Sequence, residues 1–182
     1  MNAENQQERL RVTEEFKWFL AGLIEGEGSL CISLKQHATA KFGYYIDPEF
    51  FIYQHKSARE LLDQAKTFFG TGCIVAKSGN EDVLVYKILS RRSIVEKVIP
   101  FYEKYMRYGS EIKRRNFLMF KGVTFALENK AHNTLEGVLR LVDLAYSINH
   151  AGKQRKRTKE EVISRILRDY TPNSPNRAGE KI

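Results

Sequence analysis

A helical pattern of apolar residues opens the patterned part of the chain. The apolar side chains recur at the spacing of one helix face, at Phe16, Phe19, Leu20, Leu23 and Ile24. Thr13 is a typical N-cap residue before this stripe, and Glu14 and Glu15 fall in a first turn where carboxylates are favourable. Gly26 and Gly28 favour an end to the helix. The pattern therefore predicts an amphipathic helix between Thr13 and Gly26.

Two pairs of strands are predicted further along the chain. Apolar and polar residues alternate from Ser29 to Lys35, as they do in a half-buried strand. An aromatic-rich strand from Tyr44 to Gln54 follows despite Pro48, and the polar connection between the two strands fits a hairpin with a long loop. A second pair is predicted at Cys73–Lys77 and Val83–Leu89, joined by a turn that contains Gly79.

The remaining patterned segments are predicted to be helical. Ser57 with Glu60, and Ser93 with Glu96, have the spacing of a capping box, and the second of these helices is expected to be disturbed at Pro100. Three more helices are predicted at Ser110–Asn129, Thr134–Asn149 and Thr158–Tyr170. The order indicates an α+β fold, with an antiparallel sheet, helices on one face and a helical C-terminal extension. Residues 1–170 are expected to form one domain, and residues 171–182 a loose tail.

The charge of the chain favours a polyanionic partner. Its 182 residues carry a net charge of +8, and 42% of them are hydrophobic, which is enough for a folded core. The two cysteines, Cys31 and Cys73, match neither a zinc signature nor a disulfide framework, so we expect reduced thiols in an intracellular protein. No apolar run is long enough for a membrane span, and no signal segment is visible. Nucleic acid is therefore the leading partner and a membrane is not expected, although simple solubility would also explain the charge.

The end of the first helix carries the candidate chemistry. Gly22 and Gly26 are four residues apart and share one helix face, so another backbone can approach closely there. Glu25 and Glu27 stand at the carbonyl end of the helix, where carboxylates are unfavourable and repel each other. A divalent cation would offset both penalties, and two such helices side by side would form a metal site for phosphodiester hydrolysis. The alternative is that the glutamates are simply solvated and the glycines only end the helix.

The string from Leu20 to Gly28, LAGLIEGEG, resembles the motif of the LAGLIDADG homing endonucleases. It differs from that motif only at Glu25, Gly26 and Glu27, where the family string has Asp, Ala and Asp. The motif lies early in the chain before a hairpin, as in the family, and the end of the chain also resembles single-motif members encoded in introns. The resemblance implies an αββαββα core whose antiparallel sheet forms a saddle on DNA.

The resemblance also implies roles for particular residues of the site. Glu27 would be the metal ligand, Gly26 would lend its carbonyl oxygen, and Glu25 would support the helix end from behind. Gln54 would lie near the catalytic water. The basic residue beside the scissile phosphate would be Lys113, with Arg114 and even Glu111 as alternatives that spacing leaves open, and Arg59 would be a further basic helper. The metal would be Mg²⁺, with Mn²⁺ or Ca²⁺ as other divalent ions that bind.

A single copy of the motif implies a homodimer that packs through Ala21, Gly22 and Gly26 and binds a roughly palindromic duplex DNA site. The sheet would read the major groove. The candidate contact residues on the strands are Ser33, Lys35, His37, Tyr45, Asp47, Glu49, Tyr53, Lys77, Asn80 and Lys87. The basic cluster of Arg155, Lys156 and Arg157 would bind phosphates.

The function that the resemblance implies is site-specific, metal-dependent double-strand cleavage of DNA in intron mobility, in bacterial or archaeal cytoplasm or in an organelle. Three alternatives remain open at this point. The first is an intron maturase that binds RNA. The second is a DNA-binding regulator with an inactive site, and the third is a basic structural protein. The intact Glu27 carboxylate favours cleavage, because splicing or DNA binding alone would not need it.

Overall fold

The computed structural model of the chain describes residues 13–148 and 156–169. Arg155 and the predicted tail at residues 171–182 lie outside the described residues, so the expected domain boundary stays a prediction. Within the described ranges, no helix combines the length and the apolar character that a membrane crossing requires.

The predicted first helix and hairpin are confirmed. Helix α1 spans Glu14–Glu27, strand β1 spans Gly28–Gln36 and strand β2 spans Tyr44–His55. The Thr13 hydroxyl accepts a hydrogen bond from the Phe16 amide at 3.2 Å, which caps α1 as predicted. At the other end, a Cβ on Gly28 would lie 2.5 Å from the Ile24 carbonyl oxygen, so only glycine allows β1 to start directly against the last turn of α1.

The segment between the two hairpins begins differently from the prediction. Helix α2 spans Arg59–Phe69, and Ser57 does not cap it. The imidazole of His55 instead accepts a hydrogen bond from the Ser57 amide at 3.3 Å, which starts a short 3-10 turn before α2. Gly70 ends the helix in the left-handed conformation at φ 60°, which glycine adopts readily.

The second hairpin is confirmed, with a longer final strand. Strand β3 spans Cys73–Lys77 and strand β4 spans Asn80–Ile88, so β4 begins earlier than the apolar pattern indicates. The residues from 80 to 82 are exposed and polar, and Asn80 pairs with Lys77 of β3. A hydrophobic pattern alone therefore misses them.

The helix after β4 starts at a different cap and contains a wide turn. The Ser90 hydroxyl accepts from the Ser93 amide at 3.3 Å, so Ser90 and not Ser93 is the cap. Helix α3 spans Arg91–Ser93, a π-helical segment spans Ile94–Val98 and helix α4 spans Ile99–Tyr105. The π-helical segment lies just before Pro100, which has no amide hydrogen for an ordinary helical hydrogen bond. The helix is therefore disturbed near Pro100, as predicted.

The last three predicted helices are present. Helix α5 spans Glu111–Glu128, α6 spans Leu135–Ser147 and α7 spans Lys159–Asp169. The capping box of α7 is reciprocal, because the Thr158 amide donates to the Glu161 carboxylate at 2.9 Å and the Glu161 amide donates to the Thr158 hydroxyl at 3.2 Å.

The sheet has two different faces. Its four antiparallel strands run in the order β1-β2-β4-β3. Every second residue lies in the core under the helices, and these residues include Leu30, Ile32, Ile46, Phe50, Ile52, Tyr86 and Ile88. The alternate residues form an open face of mixed polar, charged and aromatic side chains. The expected α+β fold is confirmed, and the open face is available for a partner.

Candidate active site and nucleic-acid interface

The end of α1 lies at one end of the sheet and exposes the predicted metal-binding groups. Glu27 is the last residue of α1 and is exposed, and Gly26 has no heavy atom within 4 Å of where a Cβ would stand. Over the described ranges, no group of three or more His, Cys, Asp or Glu side chains could hold a metal ion. One copy of the site therefore offers a carboxylate and a backbone carbonyl, both hard oxygen ligands, but too few side chains for a complete metal site.

Lys113 of α5 contacts the carbonyl end of α1. Its ammonium donates to the carbonyl oxygen of Gly28 at 2.7 Å and to that of Ile24 at 3.4 Å. The last turn of α1 has no basic residue of its own, so Lys113 supplies the positive charge that a helix C-terminus favours. Burial lowers the pKa of Lys113, and the charges of Glu25 and Glu27 oppose that shift only in part. The geometry thus distinguishes Lys113 from its sequence neighbours.

The alternatives to Lys113 lie elsewhere. Arg114 donates to the Arg107 carbonyl oxygen at 3.5 Å, away from the α1 end, and Glu111 is exposed in the first turn of α5. Arg59, the other basic candidate, pairs with Asp63 within α2 at 3.2 Å. Within the part of the chain that the structure describes, none of these three side chains contacts Glu25 or Glu27.

Glu25 connects α1 to the start of the helix that carries Lys113. Its Oε1 atom accepts a hydrogen bond from the Ser110 amide at 3.0 Å, and Ser110 is the N-cap residue of α5. A carboxylate is favourable at this amino end of a helix, although it is unfavourable at the end of α1. The Oε2 atom is buried without a hydrogen-bond partner in this structure. A Cβ on Gly109 would lie 2.6 Å from it, so the glycine makes room for the carboxylate.

Gln54 lies near the same end of the sheet as Glu27. Gly28 pairs with Ile52 across β1 and β2, so Gln54 stands two residues beyond that pair. Gln54 pairs with Leu84 and shares the helix-covered face with Ile52. It is only partly exposed there, and its predicted place near a catalytic water remains a prediction.

The outer side of α1 exposes aromatic side chains around its glycines. Trp18 is 39% exposed, Phe19 50% and Tyr108 78%. A shallow groove beside them is lined by Trp18, Ala21, Gly22, Glu25, Tyr105, Met106, Tyr108 and Gly109. Gly22 has no neighbour within 4 Å of a built Cβ, whereas Ala21 is only 6% exposed and packs into the chain's own core. Ala21 therefore has little surface for a partner, and the predicted interface depends on Gly22, Gly26 and the aromatic residues.

A charged network lies on the open face of the sheet. The Lys35 ammonium is 2.7 Å from Glu49 and 3.3 Å from Asp47, and the Ser33 hydroxyl donates to Glu49 at 3.0 Å. Burial acts to lower the pKa of Lys35, but the two carboxylates outweigh it and the pKa is raised. Glu49 is only 8% exposed, so the prediction that it contacts DNA directly does not fit its burial.

The other predicted contact residues are spread over the same face. His37 and Tyr45 both bond the Thr39 hydroxyl at 2.8 Å near the tip of the first hairpin. The Lys77 ammonium lies 5.7 Å from the centre of the Tyr53 ring. Asn80 accepts from the Asp82 amide in the second hairpin, and Lys87 pairs with Phe51. Lys156 and Arg157 lie away from the sheet strands and are exposed before α7.

Sequence reasoning missed two parts of this region. The Ser110 backbone amide donates to the Glu25 carboxylate, and Gly109 leaves space for it because glycine has no Cβ. Neither role depends on a side chain, so the residue types do not indicate it. The exposed aromatic residues Trp18 and Tyr108 were also missed. Trp18 has a usable sequence signal, because it falls outside the apolar stripe of α1 and so predicts an exposed aromatic side chain.

Comparison with known proteins agrees with this geometry. The family model described as LAGLIDADG endonuclease matches residues 20–124, from the motif in α1 through most of α5. The chain belongs to the LAGLIDADG endonuclease family. The matched range contains both Glu27 and Lys113, whose side chains lie at the same end of α1.

Two named endonucleases are similar in sequence. DNA endonuclease I-CeuI of Chlamydomonas moewusii is 44% identical over 138 residues, which are 75% of this chain and 63% of that protein. Homing endonuclease I-ApeII of Aeropyrum pernix is 30% identical over 161 residues, 86% of this chain and 93% of that protein. The chain thus spans less than two thirds of the first relative and nearly all of the second.

Solved structures of two intron-encoded homing endonucleases match the fold. The group I intron-encoded homing endonuclease I-CeuI in complex with DNA has a TM-score of 0.79 and 36% identity, covering 86% of this chain and 78% of that one. The archaeal intron-encoded homing endonuclease I-Vdi141I in complex with DNA has a TM-score of 0.76 and 34% identity, covering 86% and 98%. Both similar proteins are DNA-bound in those structures.

Proposed function

We propose that the chain is a site-specific homing endonuclease that makes metal-dependent double-strand breaks in a long, pseudo-palindromic DNA site. The observation that carries the proposal is the meeting of Lys113 with the end of α1 that exposes Glu27. The Glu27 carboxylate on α1 would bind a cation, and the Lys113 ammonium on α5 would stabilise the negative charge of a phosphate; both helices lie in the region that the family model matches. We assign the work of the protein to intron mobility, in bacterial or archaeal cytoplasm or in an organelle.

The residues at the end of α1 fit a divalent cation such as Mg²⁺, with Mn²⁺ and Ca²⁺ as alternative ions. Glu27 would hold the ion through its exposed carboxylate, and Gly26 through its carbonyl oxygen. The ion, when bound, would activate water and stabilise charge on the scissile phosphate. Lys113, anchored on the Gly28 carbonyl, would hold a positive charge beside that phosphate, and Gln54 would orient water.

Assembly as a homodimer would complete the site. Each chain offers one exposed Glu27, and a second copy packed on the open side of Gly22 and Gly26 would bring a second carboxylate nearby. The exposed Trp18 and Tyr108 would then be covered. A two-fold dimer would bind a DNA site with matching symmetry.

Duplex DNA is the partner that the open face of the sheet supports best. The chain carries a net charge of +8, and Lys77 and Lys87 lie on that face. Lys156 and Arg157, with Arg155, would add phosphate contacts that strengthen binding without reading sequence. Intron RNA is the alternative partner, and cleavage separates the two.

The experiment is a cleavage assay on a library of ribosomal RNA and organellar gene segments joined without introns, with Mg²⁺ or with EDTA. The expected result is a double-strand cut at one discrete site that EDTA abolishes. Binding without any cut in Mg²⁺ or Mn²⁺ would contradict the proposal, and intron RNA splicing would then be the assay for the maturase alternative.

A further inference from the structure

The charged network of Lys35, Asp47 and Glu49 has more carboxylates than cations. One ammonium stands between two carboxylates on the open face, where the proposed function puts a polyanion. A net negative cluster would be repelled by phosphates. It is therefore suited to contact base edges in a groove, where donors as well as acceptors are presented.

Glu49 fixes Lys35 from below. The Glu49 side chain is 11% exposed and also accepts from the Ser33 hydroxyl, so its position is determined by two contacts from β1. The side chains of Lys35 and Asp47 are 53% and 42% exposed. Lys35 and Asp47 thus form the accessible pair, and Glu49 is the buried support that removes freedom from the lysine.

The accessible pair presents a donor beside an acceptor. An ammonium has three hydrogens, and two of them are directed to the Glu49 and Asp47 carboxylates, which leaves one for a partner. The Asp47 contact uses Oδ2 and leaves Oδ1 able to accept a hydrogen bond. Preorganisation of this kind favours one complementary pattern of base edges over others.

We infer that Lys35 and Asp47 together read a G·C base pair in the major groove, with the remaining Lys35 hydrogen shared between guanine O6 and N7 and with Asp47 accepting from the cytosine amino group. Guanine presents two adjacent acceptors to a lysine, and cytosine presents the donor that a carboxylate takes. In an A·T pair the adenine amino group takes the place of guanine O6, and thymine O4 takes the place of the cytosine amino group, so the Lys35 donor would face a donor and the Asp47 carboxylate would face an acceptor. The inference rests on the proposed function, since it names the base pair that the same DNA-binding face selects.

The test is a binding selection with the full chain in EDTA, on duplexes with a randomised core, read by sequencing. Wild-type protein is expected to enrich a discrete site with a strongly preferred G·C pair at one position of each half-site. Lys35→Met and Asp47→Ala are expected to relax that position by roughly 5- to 150-fold, the range for one good base contact, and to leave the other positions unchanged. Lys35→Arg should keep the preference for guanine.

Lys56→Met is the matched control, because Lys56 forms an ion pair with Asp82 at 2.6 Å outside the network. It should change no base preference. Glu49→Gln tests the support role, and it should weaken the same G·C preference without shifting it to another base. Circular dichroism of each variant separates a folding defect from a change in base reading.

Two results would overturn the inference in different ways. If wild-type protein enriches a discrete site and the variants of Lys35 and Asp47 enrich the same site at every position, the base assignment is wrong while the proposed function stands. If wild-type protein enriches no sequence at all, the proposed function fails first and the assignment fails with it.

Discussion

The Lys113 ammonium lies 2.7 Å from the Gly28 carbonyl oxygen, directly after the two glutamates that end α1. This contact joins residues that are far apart in sequence, and among the three neighbouring candidates it distinguishes Lys113 as the one that touches the end of α1. The same helix end is tied to α5 a second time by Glu25 and the Ser110 amide, 3.0 Å apart. Two contacts therefore hold the helix that carries Lys113 against the end of α1, where Glu27 is exposed.

Glu27→Gln should abolish cleavage while leaving DNA binding intact. The amide has the size of the carboxylate but loses the charge that binds a divalent cation, and we expect cleavage to fall by more than about 100-fold, above the loss seen when a partner of a ligand is removed. Single-turnover cleavage and gel-shift affinity on the same duplex would measure both. Glu81→Gln, exposed on β4, is the control, and equal cleavage by Glu27→Gln and wild type would remove Glu27 from the site.

Lys113→Met should lower the cleavage rate by about 10²- to 10³-fold, the effect of removing one preorganised charge-stabilising group. The thioether side chain keeps most of the length and apolar volume of lysine, so the fold should survive. Arg114→Met is the matched control, because Arg114 contacts the Arg107 carbonyl oxygen and not the end of α1. A larger loss in Arg114→Met than in Lys113→Met would reverse the assignment.

The lowered pKa of Lys113 predicts a pH dependence of stability. Folding lowers this pKa mainly through burial, so the unfolded chain binds the proton more tightly. The resulting contribution to stability is fully present above the unfolded value of 10.5 and is lost as pH falls through the lowered pKa. The difference in unfolding free energy between wild type and Lys113→Met should therefore change across this alkaline window.

Urea unfolding at a series of pH values in EDTA would measure that difference without any metal contribution. Lys56→Met serves as the comparison, because the Lys56 side chain is 59% exposed. A difference between wild type and Lys113→Met that stays constant through the window would contradict the burial of this lysine at the end of α1.

Much of the fold could be predicted from the sequence, because α1 and the first hairpin combine clear apolar periodicity with ordinary caps. The caps before α2 and α3 could not be predicted, because Ser57 and Ser93 have the better sequence spacing while His55 and Ser90 make the hydrogen bonds. For the site, the motif located Glu27, but the choice of Lys113 needed the packing of α5 on α1. Ser33 and Glu49 show the same limit, since alternation gives their face of the sheet and not their burial.

Gly109→Ala should destabilise the chain through Glu25. The added methyl would stand 2.6 Å from the buried Oε2 atom, so the carboxylate must move and its bond to the Ser110 amide weakens. We expect a loss of about 0.5–2 kcal/mol, the range for a helix N-cap contact. Gly122→Ala is the opposite control, because a Cβ at residue 122 of α5 meets nothing within 4 Å. This substitution should raise the free energy of unfolding by about 1 kcal/mol.

Denaturant unfolding would test whether the free energy of unfolding falls in Gly109→Ala and rises in Gly122→Ala. Stabilisation by Gly109→Ala would show that the Glu25 carboxylate is not held against residue 109. The double variant Gly109→Ala with Glu25→Ala should lose less than the sum of the two single changes, since both act on one hydrogen bond.

Gly22→Leu should dissociate the proposed homodimer without unfolding the chain. A Cβ at residue 22 would have no neighbour within 4 Å in its own chain, so the leucine side chain extends into the open groove beside α1 that the second copy would occupy. Overpacking of a close helix contact costs about 1–3 kcal/mol, and sedimentation velocity would show a shift from dimer to monomer. Gly122→Leu is the matched control, because Gly122 is an equally open helical glycine outside the α1 surface. If Gly22→Leu sediments as a dimer, or if Gly122→Leu dissociates instead, the two copies meet on a surface other than this face of α1, and Glu27 of one chain no longer has its counterpart in the other.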